Sequence, residues 1–249
     1  MTATPKTRLY VATDLAGGLA VGLEPSQAHQ VRSVLRLVPG AVVALFNGRH
    51  GEWLGRIDGL GKGWCSVSLY EQRRRQQDSG DLWLVFAPVK RARIDFVVEK
   101  ATELGVSAIR PVFTRHTIVE RVNLERLRAN AVEAAEQTER LTVPEVVEPE
   151  PLQRLMARWP ADRRLLLCDE TGTSPPIAEA LAAAQPGPWA VLIGPEGGFA
   201  ESELDALKKL PFVCPVGLGP RVLRADTAAL AALAVLQALA GDWRAPRRR

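Results

Sequence analysis

The chain has few of the residues that would announce a disulfide framework or a metal centre. Among 249 residues there are three cysteines and three histidines. Cys65, Cys168 and Cys214 are far apart, form no CxxC pair, and have none of His29, His50 or His116 near them. An odd, scattered set of thiols argues against a zinc site or a disulfide scaffold and favours a reducing, cytoplasmic setting. Long apolar runs are also lacking: the longest, Ala228 to Ala240, is 13 residues and holds Gln237, too short to span a bilayer. The N-terminal stretch MTATPKTRLYVATD has no apolar core of the kind a secretory signal needs. Three common catalytic signatures are absent as well. No GK[ST] follows a glycine loop, no GxGxxG opens a helix, and no GxSxG occurs, which excludes a Walker A loop, a dinucleotide fingerprint and a hydrolase elbow.

What is present is an ordinary globular balance, 47% hydrophobic and 24% charged, with a net charge of +4. The charge is unevenly spread: residues 1–80 carry 10 Lys+Arg against 6 Asp+Glu, and residues 81–249 carry 22 of each. A polyanion held by an N-terminal module would explain this, and so would a solvated basic surface.

Two patterns follow one another along the chain. Residues 1–72 read as β-like segments at Arg8–Thr13, Ala41–Phe46, Glu52–Ile57 and Trp64–Tyr70, separated by glycine turns. One helix fits between Pro25 and Leu37, with Val31, Val34, Leu35 and Val38 on one face and His29, Arg32 and Arg36 on the other. The segment EQRRRQQDSG at 71–80 lacks apolar periodicity, and a linker is expected over residues 73–80. From 81 to 249 strands and helices alternate: Leu82–Val89, Ala108–Phe113, Arg164–Cys168, Ala190–Ile193 and Phe212–Leu218 are each followed by a helical pattern. Such alternation implies an α/β domain with a mostly parallel sheet covered on both faces, whose ligands bind beyond the carboxyl ends of the strands.

Two glycine-bearing loops stand out at such ends. GPEGG at 194–198 follows an apolar strand and precedes a helix near Glu201. LGPRVLRADTAAL at 218–230 follows the next strand, and Asp226 and Thr227 fall in a first helical turn. Glycines there allow positive φ and close approach of backbone to a ligand, although a tight turn needs no ligand. Asp226 serves equally as a helix cap or as a base. Arg221 and Arg224 add a cationic rim that capping does not require.

Together these loops resemble the SPOUT methyltransferases, and within them the ribosomal RNA small subunit methyltransferase E family. The likeness extends through three more blocks in order: His29 with Val34-Leu35-Arg36, Pro39-Gly40 and Leu45-Phe46-Asn47-Gly48; EKATELGV at 99–106; and EAAEQ at 133–137 with Arg140 and Pro144. The resemblance implies a small PUA-like β-barrel domain followed by a dimeric SPOUT α/β domain with a deep trefoil knot; no metal is expected, because no metal-ligand cluster accompanies the two loops. It implies S-adenosylmethionine held by Gly194, Pro195, Glu196, Gly197, Gly198, Leu218, Gly219, Leu223 and Arg224, with backbone near Leu167. The implied reaction forms N3-methyluridine in 16S rRNA of the small ribosomal subunit; another target nucleotide, or RNA binding alone, is the alternative.

The uridine N3 proton must leave, which suits a carboxylate base at Asp226 and cations at Arg224 or Arg221. RNA would be held by His29, Arg32 and Arg36, and by Lys90, Arg91, Arg93 and Arg221. Three positions depart from the family pattern. Asp226 stands where Glu is usual, Glu139 where a small residue is usual, and Lys90-Arg91-Ala92-Arg93 where a Lys-Gly pair is usual. The nearly all-apolar helix from Ala225 to Ala240 is expected to carry a dimer interface, with Leu233 or Leu236 among the residues that could face a partner.

Overall fold

Along most of the N-terminal strands buried apolar side chains alternate with more exposed positions, and the buried set closes on itself. The computed structural model describes residues 4–77, 79–185 and 187–245, with the side chains of Arg91 and Ala92 outside the description. Strands β1 (Arg8–Tyr10), β2 (Ala20–Gly22), β3 (Val42–Phe46), β4 (Glu52–Gly61) and β5 (Trp64–Arg74) form one sheet in the order β1-β3-β4-β5-β2. Only β1 and β3 run parallel. Leu9, Val21, Val43, Leu45, Ile57, Val67 and Leu69 point into one core, joined by Ala28 and Val31 from the helix.

That helix differs from the sequence expectation. Helix α1 is short (Pro25–His29), passes into a π-helical turn (Gln30–Val34), and ends before Arg36, whose φ is 54°. The wider turn breaks the 100° stepping, so only Val31 of the expected apolar face is buried. Val34 and Val38 are 66% and 64% exposed. His29, Arg32 and Arg36 are all exposed, but Arg36 has left the helix and no longer extends one cationic face.

The expected boundary also moves. Strand β5 continues through Arg74, beyond the start of the expected linker, because Arg74 pairs in register with Glu52 and Arg73 pairs with the buried Glu52 carboxylate. Residues 135–143, expected in the second domain, belong to the first compact unit. Arg8 explains this. It lies over the Phe46 ring, ion-pairs with Glu52, and donates to the carbonyl oxygens of Ala135 (2.8 Å) and Arg140. A guanidinium this buried needs all of those acceptors. Glu139 in this segment has φ 59°, a left-handed conformation in which any Cβ is strained and which only glycine adopts freely.

The second unit comprises residues 79–134 and 144–249. Its elements are β6 (Leu82–Phe86), α2 (Arg91–Glu103), β7 (Ala108–Phe113), α3 (Leu124–Gln137, whose last turn belongs to the first unit), β8 (Glu145–Val146), β9 (Glu150–Pro151), α4 (Leu152–Ala157), β10 (Arg164–Cys168), α5 (Ile177–Leu181), β11 (Trp189–Ile193), α6 (Glu201–Lys208), β12 (Val213–Val216) and α7 (Ala225–Ala240). The sheet is parallel throughout, in the order β12-β10-β11-β6-β7-β8, with β9 also on β7. Strands such as WAVLI at β11 are buried along their whole length, as expected for a sheet covered on both faces. Helix α7 packs on α2, α5 and β11, while Leu152, Leu155, Leu204 and Leu207 of α4 and α6 join a core with Val85, Leu165, Leu167 and Leu192. Among the described residues no helix is long and apolar enough to cross a membrane.

Candidate active site

The parallel sheet brings the loops after β10, β11 and β12 to one edge, and they enclose a cavity of about 540 Å³. The loop after β10 is fixed to the end of β12: Gly217 N–H donates to Pro175 O (2.8 Å) and Ile177 N–H to Gly217 O (3.0 Å). Its anchor is Asp169, whose side chain is fully buried. Lys208 lies 2.8 Å from its carboxylate, Ser174 donates at 2.5 Å and the Thr171 N–H at 2.9 Å. Burial alone would raise the Asp169 pKa, but these partners outweigh it and hold the carboxyl well below the usual range. Glu170, the next residue, is thereby aimed at the second loop; a Cβ on Gly198 would sit 2.2 Å from its Oε1.

The second loop is GPEGG. Gly194 packs under Phe199, where a Cβ would lie 2.9 Å from the ring, and Gly198 has φ 71°. Both positions therefore need glycine, for different reasons. Gly197 does not, since a Cβ there would meet only His116 Cβ, at 3.7 Å. From outside, His116 Nδ1 lies 3.3 Å from Gly197 O and 3.2 Å from Gly198 O. The third loop has Gly219 at φ 101°, and a Cβ there would meet nothing within 4 Å, so its backbone faces open space.

Arg93, at the start of α2, joins the second loop to the start of α7. It ion-pairs with Glu196, and its Nε lies 3.9 Å from Asp226 Oδ2. The other Asp226 oxygen accepts the Thr227 N–H at 2.9 Å. Arg224 is the N-cap residue of α7, and its carbonyl accepts the Ala228 N–H at 2.7 Å.

Of the residues expected from sequence to hold a cofactor, Gly194, Pro195, Glu196, Gly198, Leu218, Gly219, Leu223 and Arg224 line this cavity. Leu167 and Gly197 do not. Leu167 is fully buried in the core beneath, and the strand reaches the cavity through Cys168, Asp169 and Glu170 instead. Of the expected RNA contacts, Arg93 and Arg221 line the cavity, Lys90 is exposed at the start of α2, and Arg91 lies outside the described side chains. His29, Arg32 and Arg36 belong to the first unit and take no part in the lining. Cys168 offers no nucleophile, because burial pushes its thiol up to about 12. Asp169, Glu170, His116 and Glu203 were not singled out from sequence. Position immediately after a predicted strand could have flagged the first two; nothing local marked the others.

The family model of an RNA methyltransferase domain matches residues 76–237, and that of an RNA methyltransferase PUA domain matches residues 23–69. A ribosomal RNA small subunit methyltransferase E from Rickettsia conorii is 32% identical over 235 residues, covering 93% of this chain and 95% of that protein. The chain belongs to the ribosomal RNA small subunit methyltransferase E family. Two solved structures of similar proteins carry S-adenosylmethionine. A Legionella pneumophila methyltransferase is 31% identical with a TM-score of 0.86, over 95% of this chain and 98% of that one. The family member from Neisseria gonorrhoeae is 28% identical with a TM-score of 0.86, over 95% of this chain and 99% of that one. The glycine loops of the present chain thus sit in a recognised methyltransferase framework, and the N-terminal sheet in a PUA-type one.

Proposed function

We propose that this chain is a cytoplasmic S-adenosylmethionine-dependent methyltransferase that forms N3-methyluridine in 16S rRNA of the small subunit. The observation carrying this reading is the cavity built by GPEGG and LGPRVLR at the carboxyl edge of the sheet, in a chain of this family. The lining fits the cofactor. Backbone at Gly219 is open to a ligand, Leu218, Leu223 and Ala228 offer apolar cover for an adenine, and Glu170 and Glu196 offer acceptors for hydroxyls or an ammonium. A deep trefoil knot threading the segment from Gly194 to Arg224, and a homodimer that covers the outer face of α7, belong to the same proposal.

S-adenosylmethionine, when bound, supplies an electrophilic methyl group on a sulfonium. The residues of the chain have the remaining work: to align uridine N3 and to take its proton. Asp226 is the carboxylate assigned to that proton, and Arg93 fixes its position by bridging it to Glu196. Arg224 and Arg221, exposed at the rim, are assigned to the uracil oxygens and to backbone phosphate.

The test is transfer of labelled methyl to 30S subunits from a strain lacking the enzyme, followed by mass spectrometry of the RNA. N3-methyluridine at one position is expected. A methyl on another nucleotide, or no calorimetric binding of the cofactor, would overturn the reading.

A further inference from the structure

The outer face of strand β5 carries two aromatic side chains that the first unit's core does not use. Along β5 the buried residues Cys65, Val67 and Leu69 alternate with Trp64, Ser66, Ser68 and Tyr70, which all point outward. Trp64 is 54% exposed and Tyr70 43% exposed. An indole at the end of a hairpin usually finds a pocket. This one instead lies across the backbone of β4: a Cβ on Gly61 would fall 2.1 Å from its Nε1, and one on Gly59 3.1 Å from its six-membered ring. The two glycines hold the ring by one side and leave the other open. At the far end, the Arg56 guanidinium stands 5.4 Å from the Tyr70 ring centroid.

The floor between the rings is small and polar. Ser66 and Ser68 are flanked on β2 by Gly22 and Ala20, which pair with them in register. Asp58 emerges here at a register break in β4 and accepts the Ser68 hydroxyl at 2.5 Å. Six residue steps along the strand set the two Cα positions about 20 Å apart. Lys62 is exposed at the adjoining turn.

We propose that this face, from Trp64 to Tyr70, is a stacking platform for single-stranded RNA. The inference rests on the reading of the chain as an RNA-modifying enzyme. The uncovered side of the indole, and the part of the Tyr70 ring that Arg56 leaves exposed, suit unpaired bases, which stack on aromatic rings whatever their sequence. The centre of a protein interface is depleted of charge, whereas Asp58 lies in the middle of this floor. The charge agrees, since residues 1–80 carry 10 cationic side chains against 6 acidic. Asp58 repels phosphate from the centre of the floor, so the backbone of the strand runs along Arg56 and Lys62 while bases and ribose hydroxyls face inward.

The experiment uses the full chain and a fluorescent single-stranded RNA of about ten nucleotides, a length within the range of such platforms, with a duplex of the same sequence as comparison. Trp64→Ala and Tyr70→Ala should each weaken single-strand binding about tenfold. Trp64→Phe and Tyr70→Phe should restore it to within about threefold, because a ring remains. The salt dependence should hold its slope, since no phosphate contact is removed. Duplex and cofactor binding should not change. Wild-type affinity in both alanine variants, equal losses for duplex and single strand, or no single-strand binding by the wild type would overturn the platform. So would a changed sedimentation coefficient with RNA binding intact, which would mark a protein contact. If labelled methyl transfer fails in the wild type while the alanine effect persists, the reaction is misassigned and the platform stands.

Discussion

His116 Nδ1 lies 3.2 Å from the carbonyl oxygen of Gly198 and 3.3 Å from that of Gly197. A carbonyl only accepts, so in these contacts Nδ1 carries the proton and the imidazole donates to the GPEGG loop from outside. The residue before it, Arg115, is anchored to α6 and its N-terminus. The Arg115 N–H donates to Glu203 Oε1 at 3.0 Å, the Arg115 guanidinium to Ser202 Oγ at 2.9 Å, and Glu203 also accepts the Ala200 N–H at 3.2 Å. One such bond stabilises its acceptor by about 1 kcal/mol net. His116→Ala should therefore raise the calorimetric Kd for S-adenosylmethionine about fivefold, and His116→Asn, which keeps a donor, should recover much of it. An unchanged Kd in the alanine variant would mean the loop holds its shape without this contact.

The two adjacent glycines whose carbonyls face His116 should respond unequally. Gly198 has φ 71°, and an added Cβ would fall 2.2 Å from Glu170 Oε1, so Gly198→Ala meets both backbone strain and a displaced carboxylate. Cofactor affinity should drop by about tenfold or more. Gly197→Ala adds only an ordinary contact at 3.7 Å to His116 Cβ and should bind within about twofold of wild type. Equal effects at the two positions would contradict this description of the loop.

Acid should loosen the site through Asp169. Its folded pKa lies well below its unfolded value, where burial is outweighed by Lys208, Ser174 and Thr171. The stability it contributes is therefore fully present above about pH 4, near the unfolded carboxylate value, and is lost as pH falls through the folded value. Lys208→Met should cost about 2 kcal/mol at neutral pH, because a buried carboxylate loses its cation. It should also flatten the fall in Tm below about pH 4, read by calorimetry from about pH 5 down to about pH 2. An acid limb identical to wild type would remove Asp169 as its source.

The α/β unit was more legible than the sheet that precedes it, and the reason is periodicity. Short continuous apolar runs such as WAVLI and RLLLC, alternating with longer helical patterns, suit central parallel strands, and β10 and β11 appear there, β11 one residue longer than expected. The N-terminal helix misled because a π turn at Gln30–Val34 keeps helical hydrogen bonding while abandoning the 3.6-residue step that places apolar faces. Residues 135–143 misled because their allegiance depends on Arg8, more than a hundred positions away, and its capture of the Ala135 carbonyl. In the cavity, glycine loops were visible by their spacing. Glu203, His116 and the Arg93 bridge were not, since each acts by a contact between distant segments that no local pattern encodes.

The last expectation concerns the outer face of α7. The expected interface residues Leu233 and Leu236 are wholly buried against the chain's own elements, together with Ala229, Ala232 and Ala240. At 100° per residue the opposite face carries Thr227, Ala231, Ala234 and Ala238, flanked by Leu230, Val235 and Leu239. A monomer would normally put charge there, and this face has none. Small side chains let a second helix approach closely, and the same helix begins at Asp226, so association and catalysis should be coupled through it. Ala234→Glu should lower association in sedimentation experiments by about tenfold or more and reduce methyl transfer, while leaving Tm within a few degrees. Leu233→Glu should instead unfold the unit, because it buries a carboxylate without a partner. A wild-type chain that sediments as a monomer at micromolar concentration with full activity would defeat the dimer, and an Ala234→Glu chain that remains dimeric would move the interface elsewhere.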